Sequence, residues 1–161
     1  MTKLRYQEQF ERVKRWYARF REINQGKPHT HPSDYYLDEV YAFFLNCYHL
    51  KDWIQNEDTI KPPKGKVEHF INQNKCMRVC ADICHGIKHL KLQRSRSGEN
   101  PKFGAKKFYL DLGTSPPTIK IKFSVVTTTG VIDAFDLASE CIQKWEEFIK
   151  KNINLHLTNS H

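Results

Sequence analysis

The chain has 161 residues, 39% of them hydrophobic and 12% aromatic, and a formal net charge of +8. That composition excludes an intrinsically disordered chain, and the length suffices to bury a core without metals or disulfides. No apolar run approaches the roughly 20 residues that cross a bilayer. The charged start, MTKLRYQEQFERVKRWYARF, lacks the apolar centre of a secretory signal, so a single cytoplasmic domain with no membrane attachment is expected.

The first helix is expected over residues 3–23. Tyr6, Phe10, Val13, Tyr17 and Phe20 recur at spacings of three and four, which makes one apolar helical face. Gly26 and Pro28 end it. A second helix follows the loop QGKPHTHPSD, with Ser33 or Asp34 as the expected N-cap. Its sequence, YYLDEVYAFFLNCYHLKDWI, is apolar around most of its circumference, as in a central helix buried on several sides. Its aromatic excess fits a generous core, or else a homodimer interface, where aromatics are enriched. Pro62 and Pro63 close the segment.

A third helix is expected over residues 67–92, with Cys76, Cys80, Ile83, Cys84, Ile87 and Leu90 on its apolar face and Gly86 at a cost of about 1 kcal/mol within it. Residues 93–107, QRSRSGENPKFGAKK, read as a mobile loop. KFYLDL and TIKIKFSVV flank the turn GTSPP, so a β-hairpin is expected over residues 107–126. After a turn at Gly130, Asp133 with Asp136 three residues on marks the start of a fourth helix, with Leu137, Cys141, Ile142, Trp145, Phe148 and Ile149 facing inward. The last eight residues are expected to fray. The fold class is therefore mainly α, a four-helix bundle with a β-hairpin inserted between helices three and four and a core over residues 3–153.

The charge is uneven. Residues 1–27 hold eight Lys/Arg and three acids, residues 28–60 one and six, residues 61–107 twelve and three, and residues 108–161 five and six. Two basic segments flanking an acidic one favour a polyanion such as RNA or another nucleic acid. Arg12, Arg15, Arg19, Lys88, Lys91, Arg94, Arg96 and Lys102 form one basic binding surface if helices one and three are neighbours. The five cysteines, an odd number, read as reduced and buried. Cys76, Cys80 and Cys84 at helical spacing fit a core stripe better than zinc, and no Cys-x2-Cys pair exists. His85 and His89 lack the intervening acid of a HExxH site. No metal and no cofactor is expected.

The sharpest chemistry lies in NKCMRVCADICHGIKHLKL. Arg78, Asp82, His85 and His89 stand at i, i+4, i+7 and i+11, one side of a helix at roughly 100° per residue. Two imidazoles beside an arginine suit phosphodiester cleavage. One takes a proton from a 2′-hydroxyl, an acid protonates the leaving oxygen, and the guanidinium stabilises phosphoryl charge. The bland counterpart is the solvated face of an amphipathic helix, with Asp82 in ordinary surface pairs.

The motif Arg78-VCADIC-His85 within a helical chain resembles that of the HEPN superfamily of prokaryotic nucleotide-binding and RNA-cleaving domains. The resemblance implies a dimer whose motifs face each other and cut RNA without a metal, leaving a cyclic phosphate, in a stress or anti-phage defence setting. It implies Arg78 and His85 as the catalytic pair, with Asp82 the polar residue beside them; the helix face itself adds His89 as a further candidate to assist. The alternative expectation is a non-catalytic subunit that uses its basic surface to hold nucleic acid or a partner protein.

Overall fold

The computed structural model describes residues 3–59, 62, 65–89, 92 and 94–154. Pro63, Leu90, Lys91 and the C-terminal residues 155–161, named in the expectations above, lie outside that set. The described chain is mainly α. Five helices appear: α1 (Arg5–Gln25), α2 (Ser33–Gln55), α3 (Lys66–Gln73), α4 (Lys75–His89) and α5 (Ala134–Ile149), the last ending in a wider π turn at Lys150–Asn154. Five short strands lie between α4 and α5: β1 (Lys102–Phe103), β2 (Lys107–Asp111), β3 (Thr118–Lys122), β4 (Ser124–Thr127) and β5 (Gly130–Asp133).

α1 buries Tyr6, Phe10, Val13, Phe20 and Ile23, the face that its spacing defines. The Gly26 N–H bonds the Glu22 carbonyl and closes the helix at a φ of 112°, a conformation that glycine adopts without strain. At the other end, the buried Glu57 carboxylate accepts from the Tyr6 N–H at 3.2 Å, where the helix dipole favours a negative charge. α2 packs against α1, α3, α4 and α5 and buries Tyr36, Val40, Phe43, Phe44, Cys47, Tyr48, Leu50 and Ile54. Its aromatics are thus mostly core: Phe43 and Phe44 meet Phe20 of α1 edge-on or tilted, each such burial contributing roughly 1.5–3 kcal/mol. Ser33 and Asp34 do not cap α2. They occupy its first turn, and both accept from the Lys106 Nζ at 3.2 Å.

The helix expected over residues 67–92 is broken. Asn74 takes an extended conformation (φ −111°, ψ 115°), and its side-chain amide donates to the Phe70 carbonyl at 2.7 Å. Its own carbonyl accepts from the N–H groups of Met77 and Arg78, so it starts α4 as a cap does. An asparagine that offers the backbone alternative partners ends one helix and opens the next.

β2 and β3 pair antiparallel, Lys107 opposite Lys122 through Asp111 opposite Thr118. The expected hairpin stops at Lys122. Residues 124–127 instead belong to a three-stranded antiparallel sheet in the order β1-β4-β5. The Asp133 carboxylate accepts from the Asp136 N–H at 2.9 Å and caps α5, whose inward residues are those its spacing names. Trp145 of α5 donates from Nε1 to the Cys47 carbonyl at 2.9 Å. All five cysteines are reduced and buried. Burial pushes the Cys84 thiol up to about 11. No helix is long and apolar enough to cross a membrane among the described residues.

Candidate functional site: a cationic cleft beside α4

The middle of α4 is enclosed on all sides: every residue from Val79 to Cys84 is buried. Of the polar stripe, Asp82 is therefore not solvated, Arg78 and His85 are half-buried, and His89 is exposed. Asp82 has no exposed surface at all. Its carboxylate accepts from the Ser95 hydroxyl (2.8 Å), the Arg96 N–H (2.7 Å), the Ser97 N–H (2.8 Å) and the Ser97 hydroxyl. One buried carboxylate with four donors satisfies its charge locally, and the donors belong to the segment that composition marks as a mobile loop. The same loop closes on itself through Gly98 and Asn100 N–H bonds to the Ser95 hydroxyl.

A second carboxylate holds the far end of the loop. Glu99, also buried, accepts from the hydroxyls of Thr128 (3.2 Å) and Thr129 (2.8 Å) in the β4–β5 turn and pairs with Lys75 at 3.2 Å. The Thr129 hydroxyl and the Lys75 ammonium pull its pKa down to about 2 against the opposing effect of burial. The loop is thus tied to α4 through Asp82 and to the sheet through Glu99.

This tethering builds a cleft of about 680 Å³ lined by Asn72, His85, His89, Leu92, Arg94, Ser95 and Arg96. No carboxylate lines it among the described residues. His85 is half-buried, its ring edge-on to Tyr48 at 5.3 Å. Burial lowers its pKa from 6.5, and the nearby Arg96 guanidinium lowers it further, so the ring is neutral at pH 7. Arg96 is fixed by the Glu68 carboxylate at 2.7 Å and the Tyr48 hydroxyl at 3.4 Å, and Lys51 holds the same Glu68 at 3.0 Å. Arg94 is exposed, with no ion pair among the described residues.

A second, more apolar groove of about 890 Å³ adjoins it across the end of α4, lined by Tyr41, Ile87, Lys88, Lys102 and Phe103 among others. His89 and Leu92 line both. Of the residues singled out in the sequence, His85, His89, Arg94 and Arg96 therefore meet in one cleft, and Lys88 and Lys102 stand in the groove beside it. Asp82 lies beneath the loop. Arg78 is half-buried and donates to the Asn72 carbonyl, so it sits behind a cleft residue and does not line the cleft itself. Arg12, Arg15 and Arg19 line neither depression. Arg12 packs over Trp53 and bonds Gln9, and Arg19 stacks over Trp16 at 4.6 Å. Lys91 is outside the described residues.

Sequence reasoning missed Glu68, Glu99 and Tyr48. One signal was present: residues 61–107 hold only three acids, Glu68, Asp82 and Glu99, and each anchors a piece of this site. No group of three or more His, Cys, Asp or Glu side chains is placed to hold a metal ion among the described residues. Compared with family models, curated proteins and solved structures, the chain matches none.

Proposed function

We propose that the protein binds RNA in the cleft between α4 and the 94–96 loop, and that His85 and His89 cut it there without a metal ion. The observation that carries the reading is the convergence of two imidazoles and two guanidiniums on one opening that no carboxylate lines among the described residues. Arg96 is paired with Glu68, whereas Arg94 has no ion pair among the described residues and offers a phosphodiester an uncompensated positive charge. Arg96, held by Glu68 and Tyr48, is a preorganised donor. Arg94 is the more accessible one.

The chemistry starts from the neutral ring of His85. Neutral His85 accepts the proton of a 2′-hydroxyl as its oxygen attacks phosphorus. The bond from phosphorus to the 5′-oxygen breaks, and His89, in the role of general acid, gives that oxygen a proton. The products are a 2′,3′-cyclic phosphate and a 5′-hydroxyl, and the guanidiniums face the charge that develops on the phosphoryl oxygens. Cleavage of this type, with α1, α2, α4 and α5 as the four helices of a bundle, is the HEPN-like form of the proposal and carries the defence setting with it. In that form Arg78 leaves the Asn72 carbonyl to reach substrate. In the form that the geometry favours, Arg94 and Arg96 take its place.

The test is incubation of the purified protein with single-stranded RNA in EDTA. Cleavage is expected to persist in EDTA, to fall at least 100-fold in His85→Ala and His89→Ala, and to leave cyclic phosphate ends. Arg94→Ala should weaken binding roughly uniformly across sequences and lower its salt dependence. Binding without cleavage makes the protein the non-catalytic subunit of the alternative reading. No binding at low salt removes both.

A further inference from the structure

β2 is the most exposed regular element among the described residues. Phe108, Tyr109 and Leu110 are 55%, 53% and 62% exposed, and Leu112 just beyond is 73% exposed. It pairs with β3 alone, while β3 is also covered on its other side by the bridge from Ile119 to Lys27. One edge of this two-stranded sheet is therefore open, its outward N–H and C=O groups without a backbone partner among the described residues. Natural edges are blunted by lysines, prolines or bulges. β2 has a lysine only at its first position, no proline and an unbroken register with β3.

We propose that this edge is an interface for a second copy of the same chain, with two β2 strands pairing antiparallel about a twofold axis through Tyr109. The occupant is identified by self-complementarity. Strands related by such an axis keep corresponding faces on the same side, so only registers that put like faces opposite are allowed. Among these, one centred on Tyr109 sets Lys107 opposite Asp111 of the second copy, twice, and Phe108 opposite Leu110, twice. Shifting by two residues either way loses both charge pairs. Opposite charges and large apolar pairs are the cross-strand combinations that stabilise antiparallel sheets. Lys107 makes no ion pair and Asp111 bonds only the Gly113 N–H among the described residues, so both charges are available. The strand itself carries no net charge in a chain of +8. The product is a four-stranded sheet in the order β3-β2-β2-β3. Five-residue strands bury less than the roughly 800 Å² per partner of a typical stable interface, so the dimer should form and dissociate with concentration.

Sedimentation of the full chain across a concentration series tests this, with far-UV circular dichroism confirming that each variant is folded. The wild type is expected to pass from monomer to dimer. Lys107→Glu and Asp111→Lys each place like charges opposite and should weaken dimerisation at least tenfold. The double exchange Lys107→Glu/Asp111→Lys restores opposite charges and should return the dissociation constant to within about threefold of the wild type. A wild type that stays monomeric at every concentration overturns the proposal. So do single variants that dimerise as the wild type does, or a double exchange that fails to recover.

Discussion

The loop at residues 94–100 and the strand β2 lie close together in the chain and are held in opposite ways. The loop is polar, with two arginines and two serines, yet Asp82 and Glu99 bind it down at both ends. β2 is mostly apolar, yet all five of its residues are exposed. Composition ranks these two stretches the wrong way round because it counts transfer tendencies and ignores partners. A polar segment is ordered where a buried acceptor needs its donors. An apolar segment stays bare where nothing in its own chain is shaped to cover it.

Removing one side chain from β2 and one from the loop's anchor separates the two behaviours. Asp82→Ala deprives two backbone N–H groups and two hydroxyls of their acceptor and should cost about 3 kcal/mol in urea denaturation. The Arg96 and Ser97 amides should then exchange with solvent as exposed groups do, and RNA binding in the cleft should fall with them. Leu110→Thr, by contrast, should change the stability of the dilute monomer by less than about 0.5 kcal/mol, although it deletes a large hydrophobe. Equal effects from the two would mean that the loop is not held by its carboxylate.

A smaller effect sharpens the same contrast at the loop's far end. The Glu99 pKa of about 2 lies below its ordinary 4.5, so the folded state binds fewer protons than the unfolded state between these values. Glu99 therefore contributes stability above about pH 4.5 that disappears as the pH falls toward 2. Glu99→Gln should lose stability at pH 7 and show a shallower decline over that window than the wild type. Parallel declines would show that the Thr129 and Lys75 contacts do not hold the ionised form.

Local patterns carried much of this in the sequence. The three- and four-residue spacing from Tyr6 to Phe20, the Asp133 cap and the turn GTSPP each specify an element through nearest neighbours. His85 and His89, one helical turn apart, were legible as a pair for the same reason. The break at Asn74 was not, because it depends on an asparagine side chain outcompeting a helical backbone otherwise well patterned. Nor was the burial of Asp82. Periodicity tells which residues share a face, whereas what covers that face is a contact between segments 13 to 15 residues apart. Arg94 and Arg96 were legible as cations, but their place beside the imidazoles required the folded loop.

The most direct test of the cleft is NMR titration of the histidine rings with and without a short single-stranded oligoribonucleotide. In the free protein His85 should titrate below 6.5. With RNA bound, the rings of His85 and His89 should both shift and the His85 pKa should rise, because a phosphate favours the imidazolium; His31 and His69, outside the cleft, should stay where they were. RNA binding that leaves the rings of His85 and His89 unmoved would contradict the account.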